Sequence, residues 1–248
     1  MGQEALNLKN SFEISTRNYQ GAARALGIII KEISDLSVPE DIIAKWKILL
    51  TSIRMVDYKL DHITEPEKRA EFTQKLVVFL KDGTVDFSND KNLEDAILNI
   101  EATTSDLEKE QKEFLYRELS IILKVTEKIK IEQNPIKFIE LTKLEGQASA
   151  KIFLAFLPKE FKNGENYHKL VHTLTRLGRV ANSLDNCVDL PDDYKNGQVQ
   201  MKPNLFNRIL LFGGTLTDSV LLLKDTGLSK DLIKQFFKGT KATIQNPS

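Results

Sequence analysis

Residues Asn182 to Gly197 read N-S-L-D-N-C-V-D-L-P-D-D-Y-K-N-G and place Asp185, Asp189 and Asp193 at steps of four. Four residues are slightly more than one helical turn, so neighbouring aspartates share a face about 6 Å apart along the axis. Like charges at that spacing destabilise a helix. Leu184, Cys187 and Val188 between them predict a largely buried helix. Carboxylates in such a place call for a counter-charge, and a bound cation supplies one. Far upstream, R-M-V-D-Y-K-L-D-H repeats the spacing with Asp57 and Asp61. Two such helices facing each other across a helical core would make a trap for hard cations.

Outward from these stretches, nearly every segment has helical periodicity, and strand-like alternation is almost absent. A first helix is expected from Phe12 to about Leu36. Ser37-Val38-Pro39-Glu40 carries start signals for a second, running to about Asp61, with Ser37 as N-cap. Thr64-Glu65-Pro66-Glu67 opens a third, which Gly83 stops. Short and long helices follow over Leu93–Thr103 and from a capping box at Ser105–Glu108 to about Ile131. Asn134-Pro135 starts the next, whose middle, Gly146-Gln147-Ala148-Ser149-Ala150, is small enough to admit another helix or a bulky apolar ligand. Tyr167–Val188 leads into the aspartates. Leu205–Lys224 and Ser229–Lys238 close the chain. The pattern predicts an all-α, single-domain antiparallel helical bundle spanning 1–248, with frayed ends at about 1–10 and 239–248.

Lys+Arg and Asp+Glu both number 35, so zero formal charge gives no overall electrostatic case for nucleic acid. The single cysteine, Cys187, excludes an intrachain disulfide and a cysteine-based zinc site. No uninterrupted run approaches the ~18 apolar residues of a membrane span, and the N-terminus lacks the layout of a signal peptide. The expectation is a soluble cytoplasmic protein.

The order and separation of the two motifs resemble the class I terpenoid-synthase superfamily, nearest to its squalene/phytoene synthase branch and the bacterial large-terpene synthases. Arg54, Asp57 and Asp61 look like the arginine-preceded first motif. Asp185, Asp189, Asp193 and Gly197 fall on the second. The similarity covers roughly residues 17–201. It implies an isoprenoid-synthase bundle with a central cavity and a Mg2+-dependent enzyme, a terpene synthase or prenyltransferase, that ionises a prenyl diphosphate to a carbocation. The five aspartates would hold Mg2+, with Asp57, Asp61, Asp185 and Asp189 as its catalytic set. Arg54, Arg176, Arg179 and Lys195 would bind the diphosphate, arginine being the better bidentate donor. Tyr58, Glu145, Gly146, Ala148 and Ser149 would line the cavity. The resemblance also admits head-to-head joining of two substrates, a transient membrane contact for an apolar product, and a homodimer.

Plainer readings stand beside these. Asp185, Asp189 and Asp193 can be a solvated acidic helix end, and Asp57 and Asp61 a pair salt-bridged to Arg54 and Lys59. Arg176, Arg179 and Lys195 can be surface ion pairs. Phe12, Phe138, Phe153, Phe156, Phe206 and Phe212 are expected in the core, with one or two of them lining an isoprenoid pocket and stabilising a carbocation as the alternative. A helical protein of this kind that binds an isoprenoid, or packs as a partner subunit without catalysis, remains the reading of a different class.

Overall fold

Helical periodicity is realised throughout the computed structural model, which describes residues 21–83, 87 and 90–226, and no strand occurs among them. The elements are α1 (21–34), α2 (Glu40–His62), α3 (Pro66–Asp82), α4 (Lys91–Thr104), α5 (Lys109–Ile131), α6 (Pro135–Lys151), a 3-10 turn (Ile152–Phe156), α7 (Lys159–Lys162), α8 (Tyr167–Lys195) and α9 (Leu205–Thr226). Phe12, the expected helix over Ser229–Lys238 and both frayed ends lie outside the described residues.

Several helix starts differ from expectation, each for a local reason. Pro39 rather than Ser37 is the N-cap of α2, and its extended carbonyl accepts from the amides of Ile42 and Ile43. The capping box of α5 is formed by Glu108 and Gln111, three residues later than expected. Ser105 is instead used at the end of α4, where its hydroxyl donates to the Ala102 carbonyl. Gly83 ends α3 in the left-handed region at φ 67°, which a side chain would resist. Asn134 caps α6 as its sequence implies, accepting from Ile136 and Lys137.

The largest correction concerns α8. It does not stop near Val188 but continues through Pro191 to Lys195. Proline withholds one amide from the carbonyl of Cys187, yet the ladder resumes: Asn196 donates to Asp192 and Gln198 to Asp193, both at 2.8 Å. Gly197, at φ 74°, then turns the chain away. All three aspartates of the second motif therefore ride on one helix. This part of it is less buried than expected, with Val188 exposed and Leu184 and Cys187 half-buried.

A main core of α1–α5, the 3-10 turn and α8 surrounds Trp46, whose ring meets Phe153 edge-on at 5.4 Å. A smaller cluster joins Val125, Ile129, Phe138, Leu190, Val199, Met201 and Leu211. It pins the α8–α9 connection against the end of α5, where Gln200 donates to the Lys130 carbonyl at 3.0 Å. Helices α6 and α8 approach each other closely enough for their backbones to meet. A Cβ built on Gly146 would stand 2.2 Å from the Gly178 carbonyl oxygen, and one on Gly178 would stand 2.1 Å from the Gly146 oxygen. The small stretch of α6 thus admits a helix. Gly146 and Ala148, expected along a cavity, are buried, and Gly146 lies in this contact.

Helix α9 also departs from expectation. Phe206 and Phe212 are 65% and 57% exposed rather than in the core. Averaged over a window, Leu205–Lys224 has a mean hydropathy of 1.3 and is long and apolar enough to cross a membrane by length and composition. Counting uninterrupted apolar residues overlooks it, because threonines, glycines and Asp218 break the run.

The α6–α8 contact yields a pair of opposite expectations. Gly178→Ala should lower unfolding free energy by about 1–3 kcal/mol in chemical denaturation, the usual penalty for overpacking. Gly213→Ala, on α9 with open space around its Cβ position, should raise it by up to about 1 kcal/mol. Equal tolerance at both positions would contradict the close crossing.

Candidate functional site

Gly178 lies two turns before Asp185, so the α6–α8 crossing sets where the second motif is held. Directly beside it, Asn182 donates through Nδ2 to the Thr142 carbonyl and to Glu145 Oε2, both at 2.8 Å. The other oxygen of Glu145 meets the hydroxyl of Thr126 on α5. Thr126 has one proton and a second acceptor in reach, the Ile122 carbonyl at 2.9 Å. Burial raises the pKa of Glu145, outweighing the hydrogen bonds from Thr126 and Asn182, which lower it.

The first motif reaches the same place from α2. Arg54 Nη1 donates to Asp57 Oδ2 at 2.8 Å. Asp61 is held at 2.7 Å by the ammonium of Lys130, a side chain from α5 that is almost fully buried. The expected pairing of this motif with Lys59 does not occur: Lys59 turns away to Asp90, the N-cap of α4.

Electrostatics bring the two motifs together. Asp57 is pushed up to about 6 by burial and then by Asp61, with Glu145 adding to the shift and Arg54 and Lys130 opposing it. Asp185 rises to about 7 through desolvation, then through Asp189, Asp193, Asp57 and Glu145. Its side chain is nevertheless exposed to solvent, which screens the repulsion it feels. Asp193 rises to about 7 through desolvation, then Asp189 and Asp61, opposed by Lys130. Asp189 is raised by desolvation and by Asp192. Acids from α2, α6 and α8 therefore share one field, with Arg54 and Lys130 as cations inside it.

Two of the expected cations have other partners. Arg179 faces α9 and donates to the buried Asp218 at 3.2 Å, alongside Lys143 at 2.9 Å. Arg176 donates to His172 at 2.8 Å on an exposed face. Lys195 is exposed in the last turn of α8. Tyr58 stacks on His62 with ring centres 4.1 Å apart. Ser149 is half-buried on α6. A recess of about 450 Å3 lies at the opposite end of α2, lined by Asp41, Lys45, Gln111, Phe156 and Pro158 among others. Asp41 is sixteen residues from Asp57, about 24 Å along the helix, so the recess is not part of the acidic cleft.

Lys130 and Thr126 escaped the sequence reading because nothing in K-V-T-E-K-I-K-I marks which lysine turns inward. Asn182 sat inside the decisive stretch without an assigned role. Among the described residues no three acidic, histidine or cysteine side chains converge closely enough to enclose a cation by themselves. The donor chemistry fits a cation that takes one or two carboxylates and fills its remaining positions with water and phosphate oxygens, the habit of Mg2+.

The raised pKa values fix a pH dependence. Asp57, Asp185 and Asp193 hold protons more tightly folded than unfolded, where they titrate near 3.8. Their contribution to stability is therefore most favourable at acid pH, declines as pH rises from about 4 to about 7, and carries its full penalty above that. The thermal midpoint of the metal-free protein should fall from about pH 5 to about pH 8 through these groups. Asp185→Asn should flatten the fall and raise the midpoint at pH 8. A variant with an unchanged slope would contradict the shared field.

Searches against protein-family models, curated proteins and solved structures each return no match.

Proposed function

We propose that the acidic cleft binds a prenyl diphosphate together with Mg2+, and that the protein is a class I terpenoid synthase or prenyltransferase-like enzyme of the isoprenoid-synthase type. The observation that supports this reading is that the D-x-x-x-D motifs of α2 and α8 act on each other electrostatically, Asp57 raising the pKa of Asp185 and Asp61 that of Asp193. Asp57, Asp61, Asp185, Asp189 and Asp193 are the carboxylates available to the metal. When bound, Mg2+ would neutralise charge on the leaving diphosphate. Arg54 and Lys130, now paired with Asp57 and Asp61, would be the cations to meet phosphate oxygens, in place of Arg176 and Arg179. Glu145 and Asn182 position α8 rather than touch substrate. Head-to-head joining of two prenyl chains uses the same site and differs in its product.

A second reading has its own support. Arg179 is committed to Asp218. A protein that binds a prenyl diphosphate without turning it over, or serves as a partner subunit, does not need that cation at the acids.

Incubation with farnesyl or geranylgeranyl diphosphate should release diphosphate with Mg2+ and not with a chelator. Asp189→Ala should abolish release while leaving metal-free stability unchanged or higher by roughly 0.2–0.5 kcal/mol, the like-charge penalty of a helix pair. Magnesium-dependent binding without release would favour the second reading. Absence of both binding and release, or unfolding of Asp189→Ala, would overturn the site itself.

A further inference from the structure

Helix α9 is amphipathic the wrong way round for a helix whose outer face meets water. Its inward stripe is Asn207, Leu211, Thr215, Asp218 and Leu222, all buried, and three of the five are polar. Its outward stripe is Leu205, Ile209, Phe212, Leu216, Val220 and Leu223, at steps of four and three and between 41% and 76% exposed. The inward polar groups are satisfied. Asp218 takes Lys143 and Arg179, Asn207 donates to the Lys202 carbonyl at 2.9 Å, and Thr215 donates to Leu211 at 2.9 Å. The ion pairs from Lys143 and Arg179 set the rotation of the helix, so the apolar stripe cannot be turned inward without stranding a buried carboxylate. Soluble helices place their charged faces outward and their apolar stripe on the core.

Up to Lys224 the exposed charges beside the stripe are basic, and the next residue of the helix is Asp225. The exposed side chains of α9 include Arg208 and Lys224, and Lys202 stands exposed just before it. Asp218 is buried, and no acid is exposed between Leu205 and Lys224. An apolar face flanked by cations matches the boundary between acyl chains and anionic headgroups. A second copy fits less well: a strip roughly 33 Å by 10 Å offers about 330 Å2, against the ~800 Å2 per partner of a stable interface. Spanning is excluded by the packing of α9 along α8 and α6, because an ion triad of Lys143, Arg179 and Asp218 would enter the hydrocarbon with it.

We propose that α9 docks the protein in-plane on an anionic lipid bilayer, its outward stripe entering the headgroup–acyl boundary and Arg208 and Lys224 meeting lipid phosphates. The inference does not depend on the reading of the acidic cleft. The test is flotation of the full chain with vesicles of phosphatidylcholine alone and with about one third phosphatidylglycerol, alongside light scattering for mass in solution. The native chain should float with the anionic vesicles and bind pure phosphatidylcholine on the order of tenfold more weakly. Ile209→Ser with Phe212→Ser should abolish flotation with an unchanged thermal midpoint, and Arg208→Glu with Lys224→Glu should remove the preference for anionic lipid. Failure of the native chain to float overturns the proposal. So does flotation that survives the Ile209/Phe212 pair, a dimer that this pair dissolves, or a marked loss of thermal stability in the pair, which would mean that protein already covers the stripe.

Discussion

Backbone meets backbone where α6 crosses α8 at Gly146 and Gly178, and the rest of the site follows from that contact. With no Cβ on either residue, each carbonyl oxygen occupies space that a methyl group would need. The crossing brings Asn182 to Glu145 and to the Thr142 carbonyl. It also fixes the rotation of α8, on which Asp185, Asp189 and Asp193 follow at about 10, 16 and 22 Å along the axis. Continuation of α8 through Pro191 keeps the last of them on the same rod.

From this one register, charge is distributed unequally over the molecule. On one side, carboxylates from α2, α6 and α8 gather around Arg54 and Lys130, which only partly offset them. On the other, Asp218 receives two cations at once and is buried on their account. Arg179 and Asp185 lie on the same helix, yet one completes a structural ion triad and the other faces an open cleft. The buried triad orients α9, and the unbalanced cleft leaves a site that protons or a divalent cation can neutralise.

What the sequence disclosed depended on whether the signal was local. Helices α2 and α6 were legible from periodicity and their proline-bearing start signals, α8 from periodicity as far as Val188, and the two aspartate motifs from spacing alone. The partner of Asp61 was not, because Lys130 is sixty-nine residues away and resembles the other lysines of α5. Gly146 announced a close approach without saying to what, since its counterpart Gly178 is set by the fold. Helix α9 shows a deeper limit. Both of its stripes repeat at the helical period, so periodicity identifies a helix without telling which face meets the core. That is decided by Lys143 and Arg179, which lie on other helices. Phe206 and Phe212 were therefore placed inside by their apolar character and stand outside.

The central claim is that the aspartates of α2 and α8 belong to one electrostatic site. Side-chain carboxyl 13C NMR titration of Asp185 and Asp193, in the native chain and in Asp57→Asn with Asp61→Asn, measures this directly. Removing the two α2 charges should lower both α8 pKa values from about 7, since each loses a repelling neighbour across the cleft. Titration curves for Asp185 and Asp193 that do not move would place the two motifs in separate sites and contradict the account.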